Sequence, residues 1–461
     1  MKGRRFARFV AGTCAVAAMA VGLGTTGVAS AAKGSGSSNQ FANLKKIPEP
    51  SPCKNDQGVT DTEIKIGGIY PQSGPLGASG FFQQIIDGAN VRFQVANANK
   101  ELGNRKINFI PKDDAGDNSR NVSTATDLTE QDKVFAILAE SANGDASAQY
   151  LNSKGMPVVG WQLGLPMYGK YTNIFGWANA NAEDILHNYT SRSADVFKKL
   201  GAKKIALLGS TQANSAVLIA QVADAISRTP GLKVVYKNAD VPPGTTDFGS
   251  YAQGIKDSGA DALLTGVDTT GNISLLGALK QAGANLQHIY LTAGYDPRIT
   301  AVPAFDGALF SIEFKPLETT PTPQGMTDFK NAMAQYKPDN PVNASAVYGW
   351  LSANAMIEGI KAAGVNCPTQ KAFINNLRME TGYTASPTGK PEDGWFPPVS
   401  FADVFNKPFQ CAYFVQLTNK QFVPQFNGQP VCAKQIIHNG KLVPAAATTA
   451  TTVPTATTAA K

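Results

Sequence analysis

Residues 200–208 read LGAKKIALL, in which a helical stretch ends at a glycine and a short apolar run follows. The pattern returns as PGLKVVY at 230–236, SGADALL at 258–264 and AGANLQHIYL at 282–291. A glycine just past a helix end takes the left-handed conformation that closes the last turn, and a strand can then begin. Repeated units of this kind build a parallel sheet covered by helices on both faces. These residues therefore predict a doubly wound α/β unit.

An earlier part of the chain has the same alternation and predicts a second such unit. It starts with a strand at 64–70 and a helix at 81–99, whose apolar residues recur on one face. Strands at 107–110, 134–139 and 156–159 then alternate with helices at 121–130 and 146–153. After residue 316 the order changes to helices at 324–336, 345–363 and 368–378, followed by a hairpin at 412–426 that turns at Asn419-Lys420.

The chain begins like an exported protein. Lys2, Arg4, Arg5 and Arg8 precede an apolar segment at 10–23, and Ala29-Ser30-Ala31 follows as a cleavage site. A basic start, an apolar stretch too short to span a bilayer and such a site predict a signal peptide over 1–31. Residues 32–60 have the composition of a flexible leader, and 441–461 that of a disordered Ala/Thr/Pro tail.

Charge and length limit the partners. Removing the four basic residues of the signal lowers the formal net charge from +7 to +3. Little basic excess is then left for nucleic acid or anionic lipid. No later segment reaches the apolar length of a membrane span. More than 400 residues remain, enough for two lobes with separate cores, and we expect an exported monomer in the periplasm, the cell envelope or the medium.

Four cysteines remain after the signal, and an oxidising compartment favours pairing them. They allow three connectivities. Cys411 and Cys432 flank the predicted hairpin, and their pairing would leave Cys53 with Cys367. A zinc site is not expected, because no Cys-x-x-Cys occurs and only three histidines are present.

Motifs for catalysis or a cofactor are missing from the predicted strand ends. No Gly-x-Ser-x-Gly elbow occurs. The Gly-rich turn at 73–80 has neither the dinucleotide nor the nucleotide-triphosphate spacing. Asp113-Asp114, Glu140 and Asp145 are expected to cap helices or face solvent instead of binding a metal or transferring protons. We therefore predict a protein that is not an enzyme and has no cofactor.

Other strand ends predict a binding cleft, because such sheets bind ligands beyond the carboxyl ends of their strands. Ser141 and Asn143 open a helix, where free N–H groups and a hydroxyl can bind a carboxylate or simply cap the helix. Trp161 stands in a glycine-flanked loop, where its side chain either lines a ligand pocket or packs beneath the loop. Asp268 and Asp296 are candidates to balance an ammonium group. The full candidate set is Gln72, Ser73, Ser141, Asn143, Trp161, Gln162, Asn214, Asp268, Tyr295 and Asp296.

The order of these features resembles the type I periplasmic solute-binding proteins of ABC importers, especially the branched-chain amino acid (Leu/Ile/Val) group. The likeness spans about residues 61–427. Its clearest marks are the opening strand and turn with Ser73-Gly74-Pro75, the following helix with Gly88-Ala89, Lys112-Asp113-Asp114, and Asp247-Phe248. The resemblance implies two Rossmann-like lobes joined by a three-crossover hinge that close on a small ligand. Lobe one would comprise 61–178 plus 315–395, and lobe two 179–314 plus 396–440.

The resemblance also implies roles for single residues. Ser141 matches a serine that holds the ligand's carboxylate, and the loop at 160–164 adds further contacts. Asn214 stands where the family has an aromatic residue, and Gln162 where it has a small or hydroxyl residue. The acid that meets an ammonium group is absent unless Asp268 or Asp296 substitutes for it. Trp161 and Tyr295 leave room for an aromatic or amide-bearing solute.

We therefore predict an extracytoplasmic binding protein that captures a small polar ligand, an amino acid or related amide, and delivers it to an ABC-transporter permease. A ligand-sensing surface protein using the same fold, with the Thr-rich tail as a spacer, is the first alternative. An exported hydrolase is the second.

Overall fold

The computed structural model describes residues 41–74, 80–161, 164–178, 188–340, 342–403, 405 and 410–437. The predicted signal peptide at 1–31 and the predicted tail at 441–461 lie outside the described residues. No helix in the described part of the chain is long and apolar enough to cross a membrane.

The first sheet has five parallel strands in the order β2-β1-β3-β4-β5. Its central strands are buried apolar runs, because helices cover both faces. The strands are β1 (Glu63–Tyr70), β2 (Lys106–Asp113), β3 (Ala136–Ala139), β4 (Val158–Gly160) and β5 (Ile174–Gly176). The helices between them are α1 (Phe81–Ala98), α2 (Asn118–Glu130), α3 (Asp145–Ser153) and α4 (Met167–Lys170).

The second sheet repeats this order and adds antiparallel strands at one edge. Its path is β13-β12-β11-β10-β9-β7-β8, and β14 pairs with β12. The strands are β7 (Lys204–Ser210), β8 (Lys233–Val241), β9 (Ala262–Gly266), β10 (His288–Leu291), β11 (Leu309–Ile312), β12 (Cys411–Thr418), β13 (Gln421–Pro424) and β14 (Val431–Cys432). The helices are α5 (Arg192–Leu200), α6 (Ala213–Ser227), α7 (Gly249–Asp257) and α8 (Thr269–Ala282). A small separate sheet pairs β6 (Asn188–Thr190) with β15 (Gln435–Ile437).

The glycines of the four repeated units have the predicted conformation. Their φ angles are 80° at Gly201, 90° at Gly231, 65° at Gly259 and 73° at Gly283. Each lies in the left-handed region that only glycine enters without strain. The helix–glycine–strand repeat and the doubly wound α/β fold predicted from it are therefore confirmed.

The chain passes three times between the two sheets. It leaves the first sheet after β5 and enters the second. After β11 it returns to the first lobe as helices, one of which contacts β3 and β4, and it then crosses again to β12. Between the last two passages it forms α9 (Gln324–Tyr336), α10 (Ala344–Ala363) and α11 (Gln370–Arg378), of which α10 packs on α1. This is the two-lobe, three-crossover fold that the resemblance implies. The lobe boundaries given above remain predictions.

Two glycines let α1 and α10 approach closely. A Cβ added at Gly349 would lie 1.8 Å from the carbonyl oxygen of Ile85, and one at Gly88 would lie 1.9 Å from that of Ala346. A side chain at either position would therefore push the two helices apart.

The terminal hairpin turns at Asn419 and Lys420, whose φ angles of 51° and 63° are those of a tight two-residue hairpin turn. Disulfides join Cys411 to Cys432, whose residues pair across β12 and β14, and Cys53 to Cys367. This is the connectivity that the hairpin argument favours.

Residues 41–60 correct the prediction of a flexible leader. The backbone N–H of Ile47 donates to the Asn376 side chain at 2.8 Å, and the Glu49 carboxylate accepts from the Asn366 N–H at 3.0 Å. The disulfide at Cys53 adds a covalent link to the same region. The sequence predicts a flexible leader here because its apolar residues do not recur with the period of a helix or a strand. Partners more than 300 residues away hold the segment in place, and local sequence does not reveal them.

Candidate functional site

A cavity of about 210 Å³ lies between the two lobes, and we call it the interlobe cavity. The first lobe contributes Phe81 at the start of α1, Trp161 after β4 and the first turn of α10. The second lobe contributes the first turn of α8, the loop after β10 and the end of β11. Loops beyond the carboxyl ends of strands therefore meet here from both sheets, as the doubly wound topology requires.

Aromatic rings form one wall of the cavity. The indole of Trp161 stacks on the ring of Tyr348 from α10, with centroids 3.7 Å apart and planes 16° from parallel. Phe81 lies 6.1 Å from the same indole. Tyr295 and Phe310 contribute rings from the second lobe. Such a wall favours a ligand with an apolar or planar body.

Two helices begin at the cavity, and their first turns keep free donors. Asn343 caps α10 by accepting from the Ala346 N–H at 3.0 Å, and Asp268 caps α8 by accepting from the Gly271 N–H at 2.7 Å. Among the described residues neither the backbone N–H nor the hydroxyl of Ser345 has a hydrogen-bond partner, although the residue is 5% exposed. Free N–H groups and the positive end of a helix dipole favour an anionic group.

One ion pair lines the cavity on the second lobe. The Asp296 carboxylate accepts from Arg298 Nη2 at 2.7 Å and from its Nε at 3.0 Å. It also caps a short 3₁₀ helix by accepting from the Arg298 backbone N–H at 2.8 Å. The Nη1 group of Arg298 makes no hydrogen bond within the described chain, and the side chain is half exposed. Arg298 can therefore offer two further donors to a ligand carboxylate.

Two buried carboxyl groups lie behind the aromatic wall. Glu140 accepts from the Trp161 backbone N–H at 3.1 Å and from the Ser352 hydroxyl, and burial raises its pKa to about 8. Glu313 accepts from the Tyr348 hydroxyl at 2.9 Å, and burial also raises its pKa, against the opposing effect of Arg192. Glu140 and Asp114 are fully buried, and Asp117 and Gly144 occupy the caps of α2 and α3, so the prediction that these two acids cap helices or face solvent is wrong.

Asn143 and Asn214 line a second cavity of about 580 Å³, the side cavity, to which both lobes also contribute residues. The Asn143 amide donates to Asn118 Oδ1 at 2.6 Å, and Asn214 Oδ1 accepts from the Ser215 N–H at 2.9 Å. The described lining of this side cavity contains small residues, amides, Leu165, Pro243 and the carboxyl group of Asp145, with no aromatic ring and no cation. It therefore offers less to an aromatic or anionic ligand than the interlobe cavity does.

The remaining predicted residues lie elsewhere. Ser141 is buried, and its hydroxyl accepts from the Asn143 N–H at 3.1 Å. Gln72 and Ser73 bind the Asp113 carboxylate through their backbone N–H groups at 2.8 and 3.1 Å. Asp268 lines a small crevice of the second lobe. Gln162 lies outside the described residues. Of the predicted set, the structure brings Trp161, Tyr295 and Asp296 together in the interlobe cavity.

Sequence reasoning missed Arg298, Ser345 and Tyr348. Arg298 stands two residues after Asp296, so its spacing within the same loop could have indicated an ion pair. Ser345 and Tyr348 lie near the start of a helix that is more than 180 residues from Trp161. The sequence around them contains no pattern that predicts a binding site. The Tyr295 hydroxyl accepts a hydrogen bond from the Leu317 backbone N–H and donates one to the Glu318 carboxylate.

No cluster of three or more possible metal ligands occurs among the His, Cys, Asp and Glu residues that the structure describes.

A profile described as "Periplasmic binding protein" matches residues 63–421. The chain therefore belongs to the periplasmic binding protein family. Membership implies an extracytoplasmic location, with which the two disulfides are consistent. The resemblance to the branched-chain amino acid binding group is also confirmed.

Among curated relatives, Leu/Ile/Val-binding protein homolog 7 of Brucella abortus is 24% identical over 340 residues, which cover 70% of this chain and 83% of that protein. Among solved structures, a solute-binding protein of an ABC transporter from R. palustris in complex with benzoate has a TM-score of 0.65 and 18% identity, covering 81% of this chain and 98% of its own. A branched-chain amino acid ABC transporter protein from Thermus thermophilus with bound valine has a TM-score of 0.67 and 15% identity, with the same coverages of 81% and 98%. At these identities the structures show a shared fold.

Proposed function

We propose that this protein captures a small organic acid with an apolar body in the interlobe cavity and presents it to the membrane permease of an ABC importer. The ligand would be desolvated between the lobes, with contacts from both sides. Delivery to an importer rests on the family, whose similar structures come from ABC transporters.

One observation carries the choice of ligand: an aromatic wall and unpaired donors face the same small cavity. Trp161 and Tyr348 offer a flat apolar surface. Arg298 Nη1 and the first turn of α10 at Ser345 offer donors and positive charge. A planar body that bears one carboxylate uses both features, as benzoate would. The benzoate complex of the similar R. palustris protein supports this class.

A neutral amino acid or related amide, the class favoured by the sequence, is the second candidate. The relative named for Leu/Ile/Val binding and the valine complex support it. An amino acid also needs an acceptor for its ammonium group. The acid at the cavity, Asp296, already accepts from Arg298 through both of its oxygens. This pairing weighs against an ammonium subsite, and we therefore rank the amino acid second.

Calorimetric titration separates the two candidates. We expect benzoate to bind at least tenfold more tightly than benzamide, which keeps the ring and lacks the charge. We expect leucine, valine and phenylalanine to bind more weakly than benzoate. Tight binding of an aliphatic amino acid, with no heat from benzoate, would reverse the order of the candidates.

Arg298→Ala tests the same assignment on the protein. The substitution removes the donor for the carboxylate and frees the Asp296 carboxylate, so benzoate affinity should fall at least tenfold while affinity for phenylalanine rises. Arg228→Ala is the matched control, because Arg228 forms a comparable exposed ion pair with Asp224 on α6, away from the cavity. Equal benzoate affinity in both variants would exclude Arg298 from the site.

Delivery is tested in cells. Deleting the gene should abolish uptake of radiolabelled benzoate at low external concentration. Normal uptake with a lost transcriptional response to benzoate would favour the ligand-sensing alternative.

A further inference from the structure

The contacts around Glu140 have a role that ligand binding alone does not explain. Glu140 directly follows β3 and is 0% exposed. A carboxyl group without contact to water is costly to bury, and it is retained only where its hydrogen bonds compensate. Its partners therefore indicate what the group does.

Glu140 joins two elements that hold the aromatic wall. On one side both of its oxygens lie 3.1 Å from the backbone nitrogen of Trp161, which donates to the carboxyl. On the other side the Ser352 hydroxyl donates to Oε1. Ser352 stands one helical turn after Tyr348 on α10, so the two side chains share a face of that helix. The indole N–H of Trp177 donates to the same hydroxyl at 3.0 Å and fixes its position.

We propose that Glu140 is a positioning residue for ligand binding: its carboxyl ties the loop after β4 to α10 and thereby fixes the stacking of Trp161 on Tyr348. The inference rests on the proposed function only in taking this stack as a wall of the ligand site. Without the tie, the Trp161 backbone loses its anchor and its side chain can leave the ring of Tyr348. Ser352 on α10 takes part in the same connection, because its hydroxyl donates to the Glu140 carboxyl.

Near-ultraviolet circular dichroism without any ligand tests the tie directly. The difference between the wild type and Trp161→Phe isolates the signal of the stacked indole from the other tryptophans. We expect Glu140→Ala to lose most of this signal, Ser352→Ala to lose part of it, and Glu140→Gln to keep it. Glutamine keeps the shape of a neutral carboxyl and an acceptor for the Trp161 N–H.

Titration with benzoate is the second measurement. Affinity should fall at least tenfold in Glu140→Ala and stay within threefold of the wild type in Glu140→Gln. Asp114→Asn is the matched control, because Asp114 is also 0% exposed in the first lobe and its oxygens bind Asn121 and the Gly116 N–H instead of the wall. It should leave both the dichroism and the benzoate affinity unchanged.

The possible outcomes are distinct. An intact Trp161 signal in Glu140→Ala, or equal losses in Glu140→Ala and Asp114→Asn, would overturn the positioning role. If the wild type binds no benzoate, the dichroism alone decides on Glu140, and the proposed ligand class is wrong. If Glu140→Ala does not fold, Ser352→Ala decides: an unchanged signal and affinity would contradict the proposal.

Discussion

A buried carboxyl at Glu140 makes the stability of the fold depend on pH. Burial raises its pKa from the ordinary 4.5 to about 8. Between these values the unfolded chain has lost the proton while the folded chain keeps it. The free energy of unfolding therefore decreases as pH rises from about 4.5 to about 8, and this effect is constant outside that window. The titratable neighbours of Glu140 are Tyr70 of β1 and, beside it, Tyr168. Burial raises the pKa of Tyr70 well above its ordinary value, so Tyr70 does not titrate in this window.

Glu140→Gln should remove this dependence, because an amide does not titrate. Each pKa unit corresponds to about 1.4 kcal/mol, so we expect the melting temperature of the variant relative to the wild type to rise by several degrees from pH 5 to pH 8. Burial also raises the pKa of Asp145, Glu318 and Glu380, but these groups are present in both proteins and cancel in the difference. Parallel melting profiles for the two proteins would show that Glu140 titrates normally.

Single residues of the site were predictable where they follow a strand. Trp161 directly follows β4, and Tyr295 and Asp296 lie in the loop after β10, so the topology brings them to the cleft. Glu140 also follows a strand, yet its hydrogen bond from Ser352 could not be predicted, because the two residues are 212 positions apart in the sequence. A carboxylate in a loop is usually solvated, and only tertiary packing reverses that expectation.

At the scale of elements, the crossing of α1 and α10 positions the cavity. Phe81 begins one of these helices, and Ser345 and Tyr348 lie in the first turns of the other. The helices touch at Gly88 and Gly349, where their backbones meet. The sequence predicts both helices to within a few residues. It does not predict that they cross at these glycines, because the partner of each lies more than 250 residues away.

Gly349→Ala should destabilise the protein by about 1–3 kcal/mol in urea denaturation, since the added methyl lies 1.8 Å from a backbone oxygen and the helices must separate. Gly277→Ala in α8 is the control. No atom lies within 4 Å of its added Cβ, so the substitution should stabilise the helix by about 0.5–1 kcal/mol. If both variants gained stability alike, the close approach of α1 and α10 would be wrong.

At the scale of the whole molecule, two sheets whose parallel strands follow the same order lie on either side of a cleft. The repeat of helix, glycine and strand is local, so it could be predicted from the sequence together with the fold class. The depth and lining of the cleft could not, since they depend on three passages of the chain between the lobes. One hydrophobic cluster contains buried residues of both lobes, including Phe310 and Tyr348, so the lobes are packed together near the cavity.

Capture of the ligand in the interlobe cavity, against the aromatic wall, is the central claim, and the anomalous signal of 4-bromobenzoate in a crystal of the full protein tests it most directly. The predicted result is a bromine peak against the Trp161–Tyr348 stack, with the carboxylate density at Arg298 and Ser345. A bromine peak in the side cavity or on the outer surface, in a protein that binds the compound in solution, would contradict the claim.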